Sequence, residues 1–233
     1  MKFSVVIPCY NEKENIRLIL ERFSEVIEKR SDIEVVLVDN GSTDGSDKII
    51  AELLPLYPFA DTVKVDVNRG YGYGIITGLK YSHGDFIGWT HADMQTDPGD
   101  VIKAIDIIIS ENYNKKVYVK GSRKGRSAFD MFFTNGMSIF ESIYLGQKLS
   151  DINAQPNMFS REFFMSWNDP PFDFSLDLYS LYLAKKNKYN VIRFDVVFPE
   201  RINGVSKWNT GLRSKIKFIK RTIDFSKQMK GRS

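Results

Sequence analysis

The sequence predicts an α/β protein with a mostly parallel central sheet and helices on both faces. In the first half of the chain, β-rich runs alternate with segments of helical periodicity, which is the order of a parallel sheet with crossover helices. A length of 233 residues is enough for one domain with a large core. Four polar clusters also fall where predicted strands end, as expected of an α/β ligand site.

Short apolar or β-branched runs predict the strands, and apolar residues at helical spacing predict the helices. The first helix shows the spacing most clearly, with Ile16, Ile19, Leu20 and Phe23 on one face. Residues 125–172 show no regular pattern. The predicted strands are 2–7, 33–38, 61–67, 85–90, 117–120 and 190–198, and the predicted helices are 12–29, 46–54, 71–82, 98–110 and 174–185.

The composition favours a globular protein in a reducing compartment. Hydrophobic residues make up 42% of the chain, and the single cysteine, Cys9, excludes an internal disulfide. Cys9 ends an apolar strand, so we expect a small buried side chain rather than a reactive thiol. No apolar run approaches the roughly 20 residues of a membrane span, and the N-terminus does not resemble a signal peptide. We therefore expect a cytoplasmic protein.

The basic character lies in the C-terminal segment, residues 211–233. Residues 212–233 carry a net charge of +7, although the whole chain carries only +4. Leu212, Ile216, Ile219 and Ile223 recur at helical spacing among these charges, predicting a basic amphipathic helix that follows a domain of residues 1–210. Such a helix binds a membrane surface or packs on the body with its basic face in solvent, and both alternatives stay open. No nucleic-acid motif accompanies the charge.

The polar clusters 8–12, 39–44, 68–72 and 91–97 carry the candidate chemistry. Asp93 and Gln95 offer hard oxygen ligands two residues apart, which in an extended segment point the same way and suit Mg²⁺ or Mn²⁺. Thr96 or Asp97 is expected to cap the helix that begins near Pro98. Asp39 ends a strand, where a carboxylate can accept from a base or a ribose; an Asx turn is the alternative.

Further candidates follow other predicted elements. Residues 68–74 are rich in glycine, which allows close backbone approach beside a helix N-terminus that favours anions. Arg123, Arg201 and Lys207 follow predicted strands and could bind phosphate, or could be ordinary surface charges. Asp177 is the candidate general base for a hydroxyl acceptor, and an acid on a helix without catalytic role is the alternative.

Together these ordered motifs resemble the family 2 glycosyltransferases, most of all the polyprenyl-phosphate (dolichyl-phosphate) mannose and glucose synthases. The motifs are VVIPCYNE (5–12), VDNGSTD (38–44), NRG (68–70), ADMQ (92–95) and RINGVSK (201–207), so the resemblance covers roughly residues 1–210. It implies a single Rossmann-like domain of the GT-A fold, inverting transfer from a GDP- or UDP-sugar to a lipid phosphate, and a divalent cation.

The resemblance also assigns residues. It places Pro8, Tyr10, Glu12, Asp39, Asn68, Gly70, Ala92 and Asp93 around the nucleotide, Asp93 and Gln95 on the metal, and Arg123, Arg201, Ser206 and Lys207 on the donor diphosphate or the acceptor phosphate. Two positions depart from the family pattern. His91 replaces the first acid of the metal motif, and Asn40 replaces one of two adjacent acids.

Two alternatives stay open. A transferase that acts on a saccharide hydroxyl would share these motifs, as would a nucleotide-binding homologue whose metal site His91 has weakened. A nucleotidyltransferase is disfavoured, because it would need a glycine- and arginine-rich loop after the first strand, which residues 8–12 are not.

Overall fold

The computed structural model describes residues 1–125, 128–198 and 212–231, with the backbone alone for 128–133 and 212–218. Strands and helices alternate through the first half, as predicted. The strands are β1 (Phe3–Cys9), β2 (Ile33–Asn40), β3 (Ala60–Val65), β4 (Phe86–Trp89), β5 (Val117–Lys124), β6 (Asn157–Ser160) and β7 (Asn190–Val197). The helices are α1 (Lys13–Ile27), α2 (Ser46–Leu53), α3 (Tyr71–Tyr81), α4 (Pro98–Ser110), α5 (Ala128–Leu145), α6 (Arg161–Met165), α7 (Leu176–Lys186) and α8 (Leu212–Gly231), with a 3₁₀ turn at Leu54–Leu56.

One seven-stranded sheet has the order β3-β2-β1-β4-β6-β5-β7. β6 runs antiparallel to β4 and β5, and the other neighbouring pairs are parallel. The carboxyl ends of six strands therefore meet at one edge, together with the amino end of β6. This confirms the predicted α/β class and its mostly parallel sheet.

Apolar side chains on the two faces of the sheet form separate layers of the core. Val5, Ile7 and Val35 face one layer, which α1 and α4 cover through residues such as Phe23 and Ile105. The alternate strand residues face the second layer, where α3 and α7 supply Ile75, Leu79, Leu176 and Leu181. Burial of both strand faces explains the continuous apolar runs of the sequence.

β1 continues past Pro8, whereas the sequence predicted that this strand would end there. Val6 O accepts a hydrogen bond from Thr90 N (3.1 Å), and alternate residues of a strand direct their polar groups to the same side. Pro8 therefore faces the side on which β4 has already ended, since Val6 pairs with Trp89, the last residue of β4. A missing N–H costs no ladder hydrogen bond at that position.

Residues 125–172, which showed no pattern in the sequence, contain α5, β6 and α6. β6 has four residues and is buried along its whole length, so it has no alternation for sequence reasoning to detect. The backbone of β6 and of the residues just before it lies close to both neighbouring strands. A Cβ on Gly88 of β4 would lie 2.0 Å from Asn157 O, and a Cβ on Gly121 of β5 would lie 2.0 Å from Gln155 O.

The C-terminal basic segment forms α8, as predicted, and this helix packs on the body. Thr222, Phe225, Ser226 and Met229 are buried at helical spacing, and Ser226 Oγ donates to the carboxyl group of buried Glu141 on α5. Ile219 and Ile223 of the predicted apolar stripe are half-buried, whereas the side chains of Leu212 and Ile216 lie outside the description. In the described ranges no helix is long and apolar enough to cross a bilayer.

Gly88→Ala should destabilise the protein, because the new methyl group would overlap Asn157 O and Met158 Cα of β6. Overpacking of this kind costs about 1–3 kcal/mol of unfolding free energy, to be measured by urea denaturation. Gly136→Ala in α5 is the matched control, because its Cβ meets no atom within 4 Å and alanine favours a helix interior by about 1 kcal/mol. Equal effects of the two substitutions would contradict the close approach of β6.

Candidate active site

The first four strands bring three of the predicted clusters to neighbouring positions on the sheet edge. Cys9 pairs with Asp39 at the ends of β1 and β2, and Thr90, directly after β4, donates to β1. Pro8–Cys9, Asp39 and the loop that begins at His91 thus share one mouth. Burial raises the pKa of the Cys9 thiol, and the carboxylates of Glu12, Asp39 and Asp44 raise it further. The edge therefore carries a negative field, and Cys9 itself is a fully buried small side chain, as predicted.

The loop after β2 has a structural role, because its side chains hold the loop after β1. Asn11 Oδ1 accepts from Thr43 N (2.8 Å), and Asn11 N donates to Ser42 Oγ (3.1 Å). Glu12 N donates to Ser46 Oγ (3.1 Å), and Asp44 accepts from Lys13 N (3.2 Å). These contacts to the loop after β1 account for Ser42, Thr43 and Asp44 of the DNGSTD motif. Among the described residues, no side chain caps α2, which begins after Gly45. Tyr10 and Glu12 are held at the mouth by these contacts.

Asp39 is different from its neighbours in this loop. Its Oδ1 accepts from Ser42 N (3.0 Å), whereas its buried Oδ2 has no hydrogen-bond partner within the described residues. The side chain is 2% exposed, so an unmade hydrogen bond is costly there unless a ligand supplies the donor. This geometry fits the predicted contact with a nucleotide base.

Asn40, where the family pattern has an acid, has a defined contact. Its Nδ2 donates to Gly70 O (3.0 Å), which a carboxylate cannot do. Asn68 Oδ1 in turn accepts from Gly70 N (2.9 Å), so Asn68 and Gly70 form a turn that lies against the end of β2.

The glycines of residues 70–74 are explained by backbone packing. Cβ atoms on Gly70 and Gly72 would come within 2.3 Å of Phe172 O and 2.5 Å of Pro171 O, and Tyr73 N donates to Phe172 O (3.0 Å). These glycines admit residues 171–173 against the start of α3. The close approach that the sequence predicted is therefore made by this chain's own backbone, and no phosphate contact of Gly70 is needed to explain it.

The predicted metal loop lies between β4 and α4. Asp93 is 5% exposed, and its Oδ1 accepts from Gln95 N (3.1 Å). Met94 has φ +58°, so the segment is a bend, and the extended geometry from which Asp93 and Gln95 were predicted to point the same way is wrong. Asp97 caps α4 by accepting from Gly99 N (2.6 Å), as predicted. Ala92, which precedes Asp93, is also buried.

The donor set of the loop fits a divalent cation. A carboxylate and an amide oxygen are hard ligands, and Mg²⁺ or Mn²⁺ sites commonly take one or two protein groups plus substrate phosphates. Within the described ranges, no three His, Cys, Asp or Glu side chains are grouped closely enough to hold a metal ion. The buried hydroxyls of Thr90 and Thr96, at the two ends of the loop, have no hydrogen-bond partner in the part of the chain that the structure describes, so they could bind a further polar group.

His91 lies beside Tyr71, the first residue of α3. The two ring centroids are 6.2 Å apart, and Tyr71 stacks on Phe174 at 4.5 Å on its other side. Burial raises the pKa of the Tyr71 phenol well above its ordinary value, and the carboxylates of Asp177 and Asp93 raise it further. Tyr71 therefore links the metal loop to the interior.

Arg123 is paired within the protein. Its backbone N and its Nε donate to the two carboxylate oxygens of Asp151 (2.7 and 2.8 Å), and its side chain is 10% exposed. Burial raises the pKa of Asp151, but the charge and hydrogen bonds of Arg123 outweigh it and the net shift is downward. Arg123 lies at the sheet edge where the phosphate contact was predicted. To contact a phosphate, its guanidinium group must bind Asp151 and the phosphate together, or release Asp151.

Asp177, the candidate base, is buried at the start of α7 with 2% of its surface exposed. Its Oδ1 accepts from Gln155 Nε2 (2.8 Å) and Asn157 Nδ2 (3.3 Å). Burial raises the pKa of its carboxyl group. The side chain belongs to an interior hydrogen-bond network, so it is not presented to solvent as a base would be.

The sequence analysis missed the other members of this network. Lys120 of β5 is fully buried, and its Nζ donates to Ala154 O (2.7 Å) and Asn157 Oδ1 (2.6 Å). The signal was a lysine directly after the apolar run Val117–Val119, on a strand with both faces covered. Arg201, Ser206 and Lys207 lie outside the described residues, so their roles stay predictions.

Comparison with known proteins identifies the family of the chain. The profile described as "Glycosyl transferase family 2" matches residues 4–167, more than half of the chain. An undecaprenyl-phosphate 4-deoxy-4-formamido-L-arabinose transferase of Yersinia enterocolitica is 33% identical over 129 residues, 53% of this chain and 38% of that protein. The enzyme of the same name from Pectobacterium atrosepticum is 26% identical over 209 residues, 88% of this chain and 62% of that protein. The chain thus spans less than two thirds of these relatives.

Solved structures show the same fold at low sequence identity. Glucosyl-3-phosphoglycerate synthase of Mycobacterium tuberculosis, solved with Mn²⁺ and UDP, has a TM-score of 0.71 and 17% identity over 97% of this chain and 78% of its own. A mannosyltransferase of Pyrobaculum calidifontis, solved with GDP-mannose and Mn²⁺, has a TM-score of 0.66 and 22% identity over 86% and 58%. The chain therefore belongs to glycosyltransferase family 2 and is a glycosyltransferase of the GT-A fold.

Proposed function

We propose that this chain transfers a sugar from a GDP- or UDP-sugar to a polyprenyl phosphate, with inversion and with a divalent cation. The observation that carries the proposal is the mouth itself, where Asp39 Oδ2, which has no hydrogen-bond partner among the described residues, and the Asp93–Gln95 loop lie at the ends of β2 and β4, on either side of β1. Asp39 suits contact with a nucleotide base, and the Asp93–Gln95 loop suits a metal-bound diphosphate. The solved relatives that share the fold were crystallised with Mn²⁺ and a uridine or guanosine nucleotide.

In the proposed reaction the acceptor oxygen attacks the anomeric carbon in line with the departing nucleoside diphosphate. Bound at Asp93 and Gln95, the cation would supply electrostatic stabilisation of the leaving diphosphate. Asp39 would fix the base, while Pro8 and Tyr10 would line the nucleotide pocket between them. Arg123, Arg201 and Lys207, with Ser206, remain the proposed phosphate contacts.

The buried position of Asp177 favours a phosphate acceptor. A hydroxyl acceptor wants a general base, and the candidate Asp177 is 2% exposed and bound by Gln155 and Asn157. A lipid phosphate is already an anion at neutral pH and needs no base. The names of the curated relatives, undecaprenyl-phosphate transferases, point the same way.

A lipid acceptor implies a membrane surface, and the α5–α8 side of the molecule suits one. Lys220, Lys227 and Lys230 of α8 are exposed, and Ile139 and Ile143 of α5 are 60% and 79% exposed. Lys230 Nζ lies 4.7 Å from the ring centroid of Tyr144 of α5, so the basic and apolar surfaces adjoin. Apolar side chains beside basic ones match the interface of an anionic bilayer.

Asp93→Ala should abolish metal-dependent transfer. Loss of several kcal/mol of transition-state stabilisation predicts a decrease in kcat/KM of about 1000-fold, measured as labelled sugar moved into an organic extract of polyprenyl phosphate. Asp97→Ala is the control: it removes a helix cap at a cost of about 1 kcal/mol in stability, but should leave transfer intact. Full activity of Asp93→Ala in added Mn²⁺ or Mg²⁺ would contradict the metal assignment.

Asp39→Asn should weaken nucleotide binding without unfolding the protein. The amide can place an N–H where Oδ2 would accept from the base, so a hydrogen bond to a charged acceptor worth about 1.5–3 kcal/mol is lost, or roughly 10- to 100-fold in Kd. Titration calorimetry with UDP and GDP in Mn²⁺ measures the change and identifies the preferred base. An unchanged Kd for both nucleotides would exclude Asp39 from the base pocket.

Replacing Lys220, Lys227 and Lys230 together by glutamine should reduce binding to vesicles that contain phosphatidylglycerol. At about 1 kcal/mol per basic residue, the expected loss is about 100-fold, with little change on neutral phosphatidylcholine vesicles. The same replacement at Lys64, Lys80 and Lys103 provides a control of equal charge change. Equal vesicle binding by the wild type and both triple variants would exclude this surface as the membrane contact.

A further inference from the structure

Two charged side chains are buried behind the active-site mouth without touching each other. Lys120 is 0% exposed and Asp177 is 2% exposed. Each lowers the energetic cost of burying the other, because the charge of Asp177 raises the pKa of Lys120 and the charge of Lys120 lowers that of Asp177. Burial is nevertheless the larger influence on both, and it lowers the pKa of Lys120 to about 7.

Two side-chain amides bridge the charges. Asn157 Oδ1 accepts from Lys120 Nζ (2.6 Å), while Asn157 Nδ2 donates to Asp177 Oδ1 (3.3 Å) and to Gln155 Oε1 (2.6 Å). Gln155 Nε2 then donates to the same Asp177 oxygen (2.8 Å). Asn157 thus presents its oxygen to Lys120 and to the Tyr118 hydroxyl, which also donates to it (2.9 Å), and both amides present their nitrogens to Asp177. The two charges therefore favour these amide orientations.

The network ends at the metal loop. Gln155 Nε2 also lies 3.1 Å from the hydroxyl oxygen of Tyr71, whose ring packs beside His91 and stacks on Phe174. If the amide of Gln155 turned over, its oxygen would face the carboxylate of Asp177, so the amide is held in the orientation in which Nε2 reaches both Asp177 and Tyr71. The charges behind the sheet edge therefore fix the aromatic support of the loop that carries Asp93.

We propose that Lys120 is a positioning residue for the metal loop, acting with Asp177 through the amides of Asn157 and Gln155 to hold Tyr71 against His91. The proposal rests on the proposed function, because it assigns Asp93 and Gln95 to the cation. It adds to that function a buried charge pair that touches neither donor nor acceptor. The interior on which the pair depends spans β5, β6, α3 and α7.

The test compares Lys120→Met, Asp177→Asn and the double variant with the wild type. Removing one charge leaves the other uncompensated, so each single variant should unfold at a lower urea concentration; removing both should restore the midpoint. In Asp177→Asn the new amide oxygen can still accept from Gln155, which keeps Tyr71 in place. Lys80→Met, on the exposed side of α3, controls for loss of a lysine.

The decisive readout is the concentration of Mn²⁺ needed for half-maximal binding of the nucleoside diphosphate, measured by calorimetry and by electron paramagnetic resonance of free Mn²⁺. We expect at least a roughly tenfold increase in Lys120→Met and recovery to within about threefold of the wild type in the double variant. Lys120→Met with a wild-type Mn²⁺ requirement would overturn the proposal, even if its urea midpoint fell, because Lys120 would then serve stability alone.

Two further outcomes complete the test. If neither single variant folds, Gln155→Met decides, because it keeps both charges and removes the amide that reaches Tyr71: a raised Mn²⁺ requirement supports the proposal, and a wild-type requirement overturns it. If the wild type shows no Mn²⁺-dependent nucleotide binding at all, the proposed function fails. The urea midpoints of the three variants would still show whether the two charges are coupled.

Discussion

The parallel pairing of β1 with β2 and β4 is the constraint on which the site depends. Cys9 pairs with Asp39, and β4 ends at Trp89, which pairs with Val6, two residues before Pro8. The predicted metal loop therefore leaves the sheet beside the proposed nucleotide pocket. A one-residue change of register would turn alternate side chains to the opposite face and bury the wrong set. Because both faces of the sheet are covered by core layers, the register is strongly fixed, and the polar loops follow from it.

Within the polar clusters, structural and binding roles are divided between residues that look alike in the sequence. Asp44 and Ser46 hold the loop after β1 through backbone hydrogen bonds, whereas Asp39 keeps one carboxylate oxygen without a partner among the described residues. Gly70 and Gly72 admit the backbone of residues 171–173 rather than a phosphate. Most residues of these polar clusters thus hold the loops in position, and only a few of their polar groups could contact a ligand.

The sequence predicted the first half of the fold well because strand and helix periodicity is local there. It could not predict β6, which is short and wholly buried, or the bend at Met94, which depends on the hydrogen bond from Gln95 N to Asp93. It could not show that Arg123, the predicted phosphate ligand, also pairs with Asp151, because Asp151 lies 28 residues away with no pattern to join them. The Lys120–Asp177 network was missed for the same reason: its members come from four separate segments.

Charge balance at the mouth gives a physical reason to propose a divalent cation there. The field at the end of β1 is negative, as the effect of Glu12, Asp39 and Asp44 on Cys9 shows, and Arg123 is already matched by Asp151. A nucleoside diphosphate that approached this edge would add further negative charge. A divalent cation at Asp93 would reverse the local sign, whereas a rigid pocket of paired charges could not. On the proposed function, support of that loop from behind would offset the cost of burying Lys120, because the orientation of the Asp93 carboxylate would decide how well the cation is held.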